Sequence, residues 1–166
     1  MIEINFAREI LAIVQAFLLL GMRIQPIYRI ILSRLYYAAH HVGRALLRHA
    51  GLTPEQWRVN VHRRVLDELE RRFVNTGVMR LDAFENLEQL RRRRVRADYN
   101  LNVQIRDIDV AEAISLFTTY FDECCRPNFS FLWERKEKFD QKKRNAVLFS
   151  FLFSKKKSVC RILGVS

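Results

Sequence analysis

Between Pro26 and Gly51 the apolar residues Ile27, Ile30, Ile31, Leu35, Ala38, Val42, Ala45 and Leu46 recur at spacings of three and four. That period gathers them on one face of an α-helix, whereas a strand would scatter them over both of its faces. Proline suits the first helical turn, and glycine suits the residue just past the last one. The pattern repeats along the chain. A first segment, about Asn5–Leu20, is apolar all round and is expected to be well buried. Thr53-Pro54-Glu55-Gln56 reads as an N-cap, a first-turn proline and a capping-box Gln. The helix it predicts uses Val61, Val65, Leu66, Leu69 and Phe73 and stops at Gly77. A fourth spans about Leu81–Ala97, with Phe84, Leu87, Leu90 and Val95 apolar. Asp107 and Asp109 open a fifth, about Val110–Cys124, carrying Ala113, Ile114, Phe117 and Phe121. Only five glycines and three prolines interrupt 166 residues, and no period-two pattern occurs before residue 127. The expected class is all-α: an antiparallel bundle of four or five helices with a basic, aromatic-rich C-terminal extension.

That extension begins at a seam. Residues 1–126 hold nineteen Arg, no Lys and fifteen acidic residues, a net +4. Residues 127–166 hold seven Lys, three Arg and three acidic residues, a net +7, with Phe129, Phe131, Trp133, Phe139, Phe149, Phe151 and Phe153 among them. The expected organisation is a bundle over 1–126 and a basic aromatic tail over 127–166 that either docks on the body or a partner or is partly disordered. Left exposed, "VLFSFLF" would be prone to aggregate. The total of +11 favours an anionic partner.

Three cysteines, Cys124, Cys125 and Cys160, form no CxxC pair and no metal-ligand spacing. Reduced thiols in a cytoplasmic protein are expected, with no metal and no cofactor implied. The opening "MIEINFAREILAIVQAFLLLG" carries Glu3, Arg8 and Glu9 near its front and lacks a signal-peptide pattern. Its run from Ile10 to Gly21 is too short to span a bilayer.

The densest charge is "QLRRRRVRADYN", residues 89–100. Arg91 and Arg94 are three apart and share a helix face with Asp98, while Arg92 and Arg96 lie four apart on another. Such a run either complements the helix C-terminal dipole as a solvated face or holds an anion.

Three stretches carry a resemblance. In "SRLYYAAHHVGRALLRHAG", residues 33–51, Tyr-Tyr-Ala and a His precede an Ala-Leu-Leu helix end. In "NVHRRVLDELERRFVNTG", residues 60–77, His62 precedes a helix ending in Phe-Val-x-x-Gly. "LRRRRVRADYN" holds an Arg-x-x-Ala-Asp-Tyr element through Arg94, Ala97, Asp98 and Tyr99. In order and spacing these resemble the HEPN-domain family, in its bacterial and archaeal branch, over residues 5–124. The resemblance implies an all-α bundle that dimerises and binds RNA or nucleotide. Many members are metal-independent ribonucleases, often toxins beside a nucleotidyltransferase antitoxin, whose site pairs an Arg with a His four to six residues later. Here Tyr99 stands five residues after Arg94, and Val95 takes the place of the polar residue usual after the Arg.

Cleavage without metal needs a base for the 2′-hydroxyl, an acid for the leaving oxygen and cations for the phosphorane. Histidine titrates near neutrality, tyrosine near 10, and arginine offers a planar fork for phosphate. The candidate catalytic residues are therefore Arg94, Tyr99 and His41, with His62 a second way to replace the absent base. The candidate phosphate or nucleic-acid contacts are Arg91, Arg94 and Asp98, with Arg92 and Arg96 along the path. Three functions fit: a ribonuclease toxin, a non-catalytic RNA or nucleotide binder, and a helical interaction subunit of a larger assembly.

Overall fold

A computed structural model of the chain describes residues 2–126 and Phe129, all within one compact unit that spans residues 1–130. The expected docking of the tail lies outside the described residues. Five α-helices run in sequence: α1 (Ile2–Leu19), α2 (Gln25–His49), α3 (Val61–Leu69), α4 (Leu81–Tyr99) and α5 (Asp107–Cys124). No strand occurs among the described residues, and the all-α antiparallel bundle stands as expected. No helix among them is long and apolar enough to cross a membrane.

α2 is the axis of the bundle, packed against α1, α3, α4 and α5. Thirteen of its 25 residues are buried, Leu35, Val42, Leu46 and Leu47 completely. Each large apolar side chain removed from water contributes about 1.5–3 kcal/mol, so this helix anchors the core. Its start has Pro26 in the first turn, and Gly51 follows its end at φ 86°, as the sequence predicts. The approach of α3 and α5 depends on Gly43. A Cβ there would stand 2.9 Å from both Leu69 Cδ1 and the Tyr120 hydroxyl.

Three local expectations are corrected. α1 is not well buried: only Ile4, Ala7 and Val14 are, and Ile13, Leu19 and Leu20 are exposed. Its main neighbour is α2, and one neighbour covers one stripe of a helix that is apolar all round. The Thr53–Gln56 signal does not open α3; Pro54–Gln56 is a single 3-10 turn. The chain leaves it extended at Trp57, and α3 begins only after Asn60, whose φ of 49° is left-handed. Tertiary contacts outweigh the cap, which is worth about 1 kcal/mol. Glu55 is drawn to Arg48 at 3.2 Å, and the Arg64 guanidinium lies 4.5 Å above the Trp57 ring. Val95 is 41% exposed on the outer side of α4 rather than packed in the core.

Beyond α3 the helix widens into a π-turn over Glu70–Val74 that keeps Phe73 inside, and Gly77 follows at φ 74°. Asp109 accepts the Arg106 backbone N–H at 2.9 Å and caps α5. Packing runs past the compositional seam, because Phe129 is completely buried with its ring 5.6 Å from that of Phe73.

Candidate phosphate-binding site

The arginine run occupies the last three turns of α4, and the helix divides it between two sides. On one side Arg93 reaches Glu112 at 2.6 Å, Arg96 stands 3.8 Å from Asp109, and Arg92 stands 3.9 Å from Glu88. These residues line a groove of about 570 Å³ between α4 and α5, with Glu85 among its further carboxylates. A groove that mixes arginines with four carboxylates offers no net attraction for a polyanion. Of the expected nucleic-acid path, Arg92 and Arg96 therefore spend their charge on neighbouring acids.

The other side faces α2 and the start of α3. Asp98 Oδ2 accepts Arg94 Nε at 2.6 Å and the Ser33 hydroxyl at 3.4 Å. The Arg94 guanidinium also lies 5.4 Å above the Tyr99 ring, a cation–π stack. Arg94 and Tyr99 thus stand together, although Tyr99 is 72% exposed at the rim. Arg91, one turn earlier on the same side, makes no ion pair among the described residues. It alone of the five arginines keeps an uncompensated charge.

Below these guanidiniums lies a ring cluster. Tyr36 Oη and His62 Nδ1 are 2.9 Å apart, and the His40 and His62 ring centroids are 4.4 Å apart. Burial chiefly holds the His62 imidazole below its ordinary range, followed by the positive fields of Arg94, Arg91 and Arg44. Burial pushes the Tyr36 phenol up to about 12, against the pull of Arg91 and Arg94. His40, 4% exposed, is pushed down to about 3 by burial, then by His62, His41 and Arg44. The rings are neutral at pH 7, and the unpaired positive charge beside them is that of Arg91, because Arg94 is paired with Asp98 and Arg44 stands 3.8 Å from Glu55.

His41 points elsewhere. Its ring lies 4.4 Å from Tyr37 and 5.9 Å from Phe6 of α1, and it meets the cluster only at His40, 6.2 Å between centroids. The structure therefore brings together Arg91, Arg94, Asp98 and Tyr99 with His62 and Tyr36, while His41 stands behind His40 and turns toward α1. Ser33, Tyr36, His40 and Arg44, at spacings of three, four and four, form a polar stripe on α2. A search for apolar periodicity passes over that stripe, yet it is the same helical signal carried by different side chains.

Two further features hold the site in place. The Arg29 guanidinium donates to the carbonyls of Ala97 at 2.5 Å, Asn100 at 3.2 Å, Leu101 at 3.1 Å and Val103 at 2.6 Å. These acceptors are the orphan carbonyls of the α4 C-terminus and the loop beyond it. His62 sits in the first turn of α3, where the helix dipole disfavours an imidazolium and favours an anion nearby. Cys124 and Cys125 are free thiols, and burial pushes the Cys124 thiol up, so it is inert packing. Among the described residues no group of three or more His, Cys, Asp or Glu is placed to hold a metal ion. Comparison of the chain with protein-family models, curated proteins and solved structures finds no match.

Proposed function

We propose that this chain is a HEPN-like protein that binds RNA or nucleotide through phosphate contacts at Arg91 and Arg94. The observation that carries this reading is the Arg91 guanidinium, outside every ion pair among the described residues, whose field reaches the buried Tyr36 and the half-buried His62. A phosphate there would meet one free fork, a second fork whose Nε is held by Asp98 at 2.6 Å, and two neutral hydrogen-bonding groups. The ordered resemblance of residues 33–51, 60–77 and 90–100 supports the same reading, as does the helical bundle. On that resemblance the protein belongs to a cytoplasmic toxin–antitoxin or defence system, acts as a homodimer and is restrained by a nucleotidyltransferase antitoxin. Titration of a fluorescent single-stranded RNA with the full chain tests it, with ATP as competitor. Binding that falls at least tenfold in the Arg91→Ala, Arg94→Ala double variant is expected; equal binding would remove the reading.

A second reading, a non-catalytic interaction subunit, draws on α1. Its exposed Ile13 and the neighbouring Ile10, Val14, Phe17 and Ile30 line an apolar groove of about 210 Å³. A chain that binds no RNA but co-purifies in a fixed stoichiometric complex would favour that subunit.

A further inference from the structure

Resting on the phosphate reading above, we propose that the ligand is a single RNA strand that rounds the N-terminal end of α3, and that one of its bases stacks on the Arg64 guanidinium, which Trp57 holds flat from behind.

The segment that leads into α3 is positive and unneutralised. From Gln56 to Leu66 the chain holds Arg58, Arg63 and Arg64 and no carboxylate. The acids on either side are already engaged: Glu55 stands 3.2 Å from Arg48, and Asp67 stands 2.8 Å from Arg63. Arg58 and Arg64 are exposed and make no ion pair among the described residues. Arg64 has a flat partner instead, since its Cζ lies 4.5 Å above the Trp57 ring. A guanidinium laid on an aromatic face in this way still has its other face, a charged plane held in one orientation. A nucleobase stacks on such a plane as it does on an aromatic ring.

The backbone fixes both halves of this pair. The Trp57 N–H donates to the carbonyl of Pro54 at 3.3 Å, and Pro54 is buried. At the other end Asn60 turns left-handed at φ 49°, and its carbonyl accepts the Arg64 backbone N–H at 2.9 Å. Between the two anchors Arg58, Val59 and Asn60 face outward, with Val59 72% exposed. No side chain caps α3, so the backbone N–H groups of its first turn stay open beside this loop.

The loop lies across α3 from the phosphate site. His62 and Arg64 are two residues apart, about 200° round the helix axis, so they leave α3 on opposite sides. His62 turns inward to Tyr36 at 2.9 Å, where the fields of Arg91 and Arg94 also reach. A helix with its side chains is about 10–12 Å across. A strand gripped at Arg91 and Arg94 therefore reaches Arg64 by passing the start of α3, where Arg58 meets a phosphate on the way. Positive charge alone would draw any polyanion to this path; the Arg64 plane selects one that carries bases.

The test uses the full chain with two probes, a short oligoadenylate and inorganic polyphosphate, a polyanion without bases. Arg64→Lys keeps the charge and removes the plane. It is expected to bind polyphosphate within about twofold of wild type and oligoadenylate at least about fivefold more weakly, the loss of one stacked base. Trp57→Leu removes the backing ring and should show the same selective loss. Arg58→Ala should lower the slope of log K against log salt by about 0.7 for oligoadenylate, the release of one counterion. Oligoadenylate bound equally by wild type and Arg64→Lys, or equal losses for both probes, overturns the stack while the phosphate reading stands. An unchanged slope in Arg58→Ala overturns the path. Wild type that binds neither probe removes the phosphate reading and this one together. If melting shows Trp57→Leu unfolded, the exposed Arg64→Lys decides alone.

Discussion

Nε of Arg94 lies 2.6 Å from Oδ2 of Asp98, one turn along α4, and this pairing sets Arg94 apart from the unpaired Arg91. A carboxylate so placed orients the guanidinium and competes with any phosphate for it. Asp98→Asn keeps the shape and removes the competitor. Affinity for single-stranded RNA is expected to rise about three- to tenfold, as for the loss of one opposing charge near a surface, by fluorescence anisotropy at low salt. A fall in affinity would mean that Asp98 serves orientation alone.

Arg29 gathers four carbonyls at the end of α4, and no other side chain can hold all of them. A lysine ammonium is a point donor without the planar fork, so Arg29→Lys is expected to cost about 2–4 kcal/mol in urea denaturation. The same variant should weaken RNA binding, because Arg94, Asp98 and Tyr99 lie on the turn that Arg29 closes. Stability within about 0.5 kcal/mol of wild type would show the clamp to be surface decoration.

Gly43 sits where α2 meets α3 and α5. Its added Cβ in Gly43→Ala meets the Tyr120 hydroxyl and Leu69 Cδ1 at 2.9 Å, and both of those residues are completely buried. Overpacking of this kind costs about 1–3 kcal/mol, which outweighs the helix-propensity gain of up to about 1 kcal/mol. Thermal melting followed by circular dichroism would register a lower Tm; a higher one would contradict the packing described.

Acid should destabilise the bundle well before its carboxylates titrate. His40 binds its proton at about 3 in the folded chain and at the ordinary 6.5 when unfolded. Between those values the unfolded state holds more protons, so stability falls as pH falls, by up to about 1.4 kcal/mol per pH unit for this one group. His41 and His62, both lowered by burial, act in the same direction. Asp109, held low by the Arg106 backbone N–H, keeps its contribution above the carboxylate range and leaves this window undisturbed. Denaturation at pH 7.5 and pH 5 should differ by about 2 kcal/mol or more, and a flat profile would contradict the buried neutral His40.

The bundle was legible because α2 announces itself at both ends, with Pro26 inside its start and Gly51 past its finish. α5 was legible because Asp109 occupies its capping position. What escaped was decided by tertiary contacts. Thr53 has a cap's chemistry, yet Glu55 follows Arg48 and Arg44 of α2 instead. The hydropathy of α1 could not reveal how few neighbours cover it. The site was half legible: spacing placed Arg91, Arg94 and Asp98 on one face, but proximity across helices is invisible in one sequence. That is why His62, 26 residues from Tyr36 in the chain, meets it while His41 turns toward Phe6. Phe129 lies past the change in composition and still fills the core against Phe73, because burial follows shape rather than the usage of lysine.

The most direct measurement is the salt dependence of RNA binding for wild type, Arg91→Ala and Arg93→Ala. Arg93 is matched with Glu112 at 2.6 Å, whereas Arg91 has no carboxylate among the described residues. Arg91→Ala is therefore expected to weaken binding about tenfold and to reduce the slope of log K against log salt by about 0.7, the release of one phosphate counterion on a single strand. Arg93→Ala should leave both within error. Equal losses from the two variants, or an Arg91→Ala slope that matches wild type, would contradict a phosphate site on this side of α4.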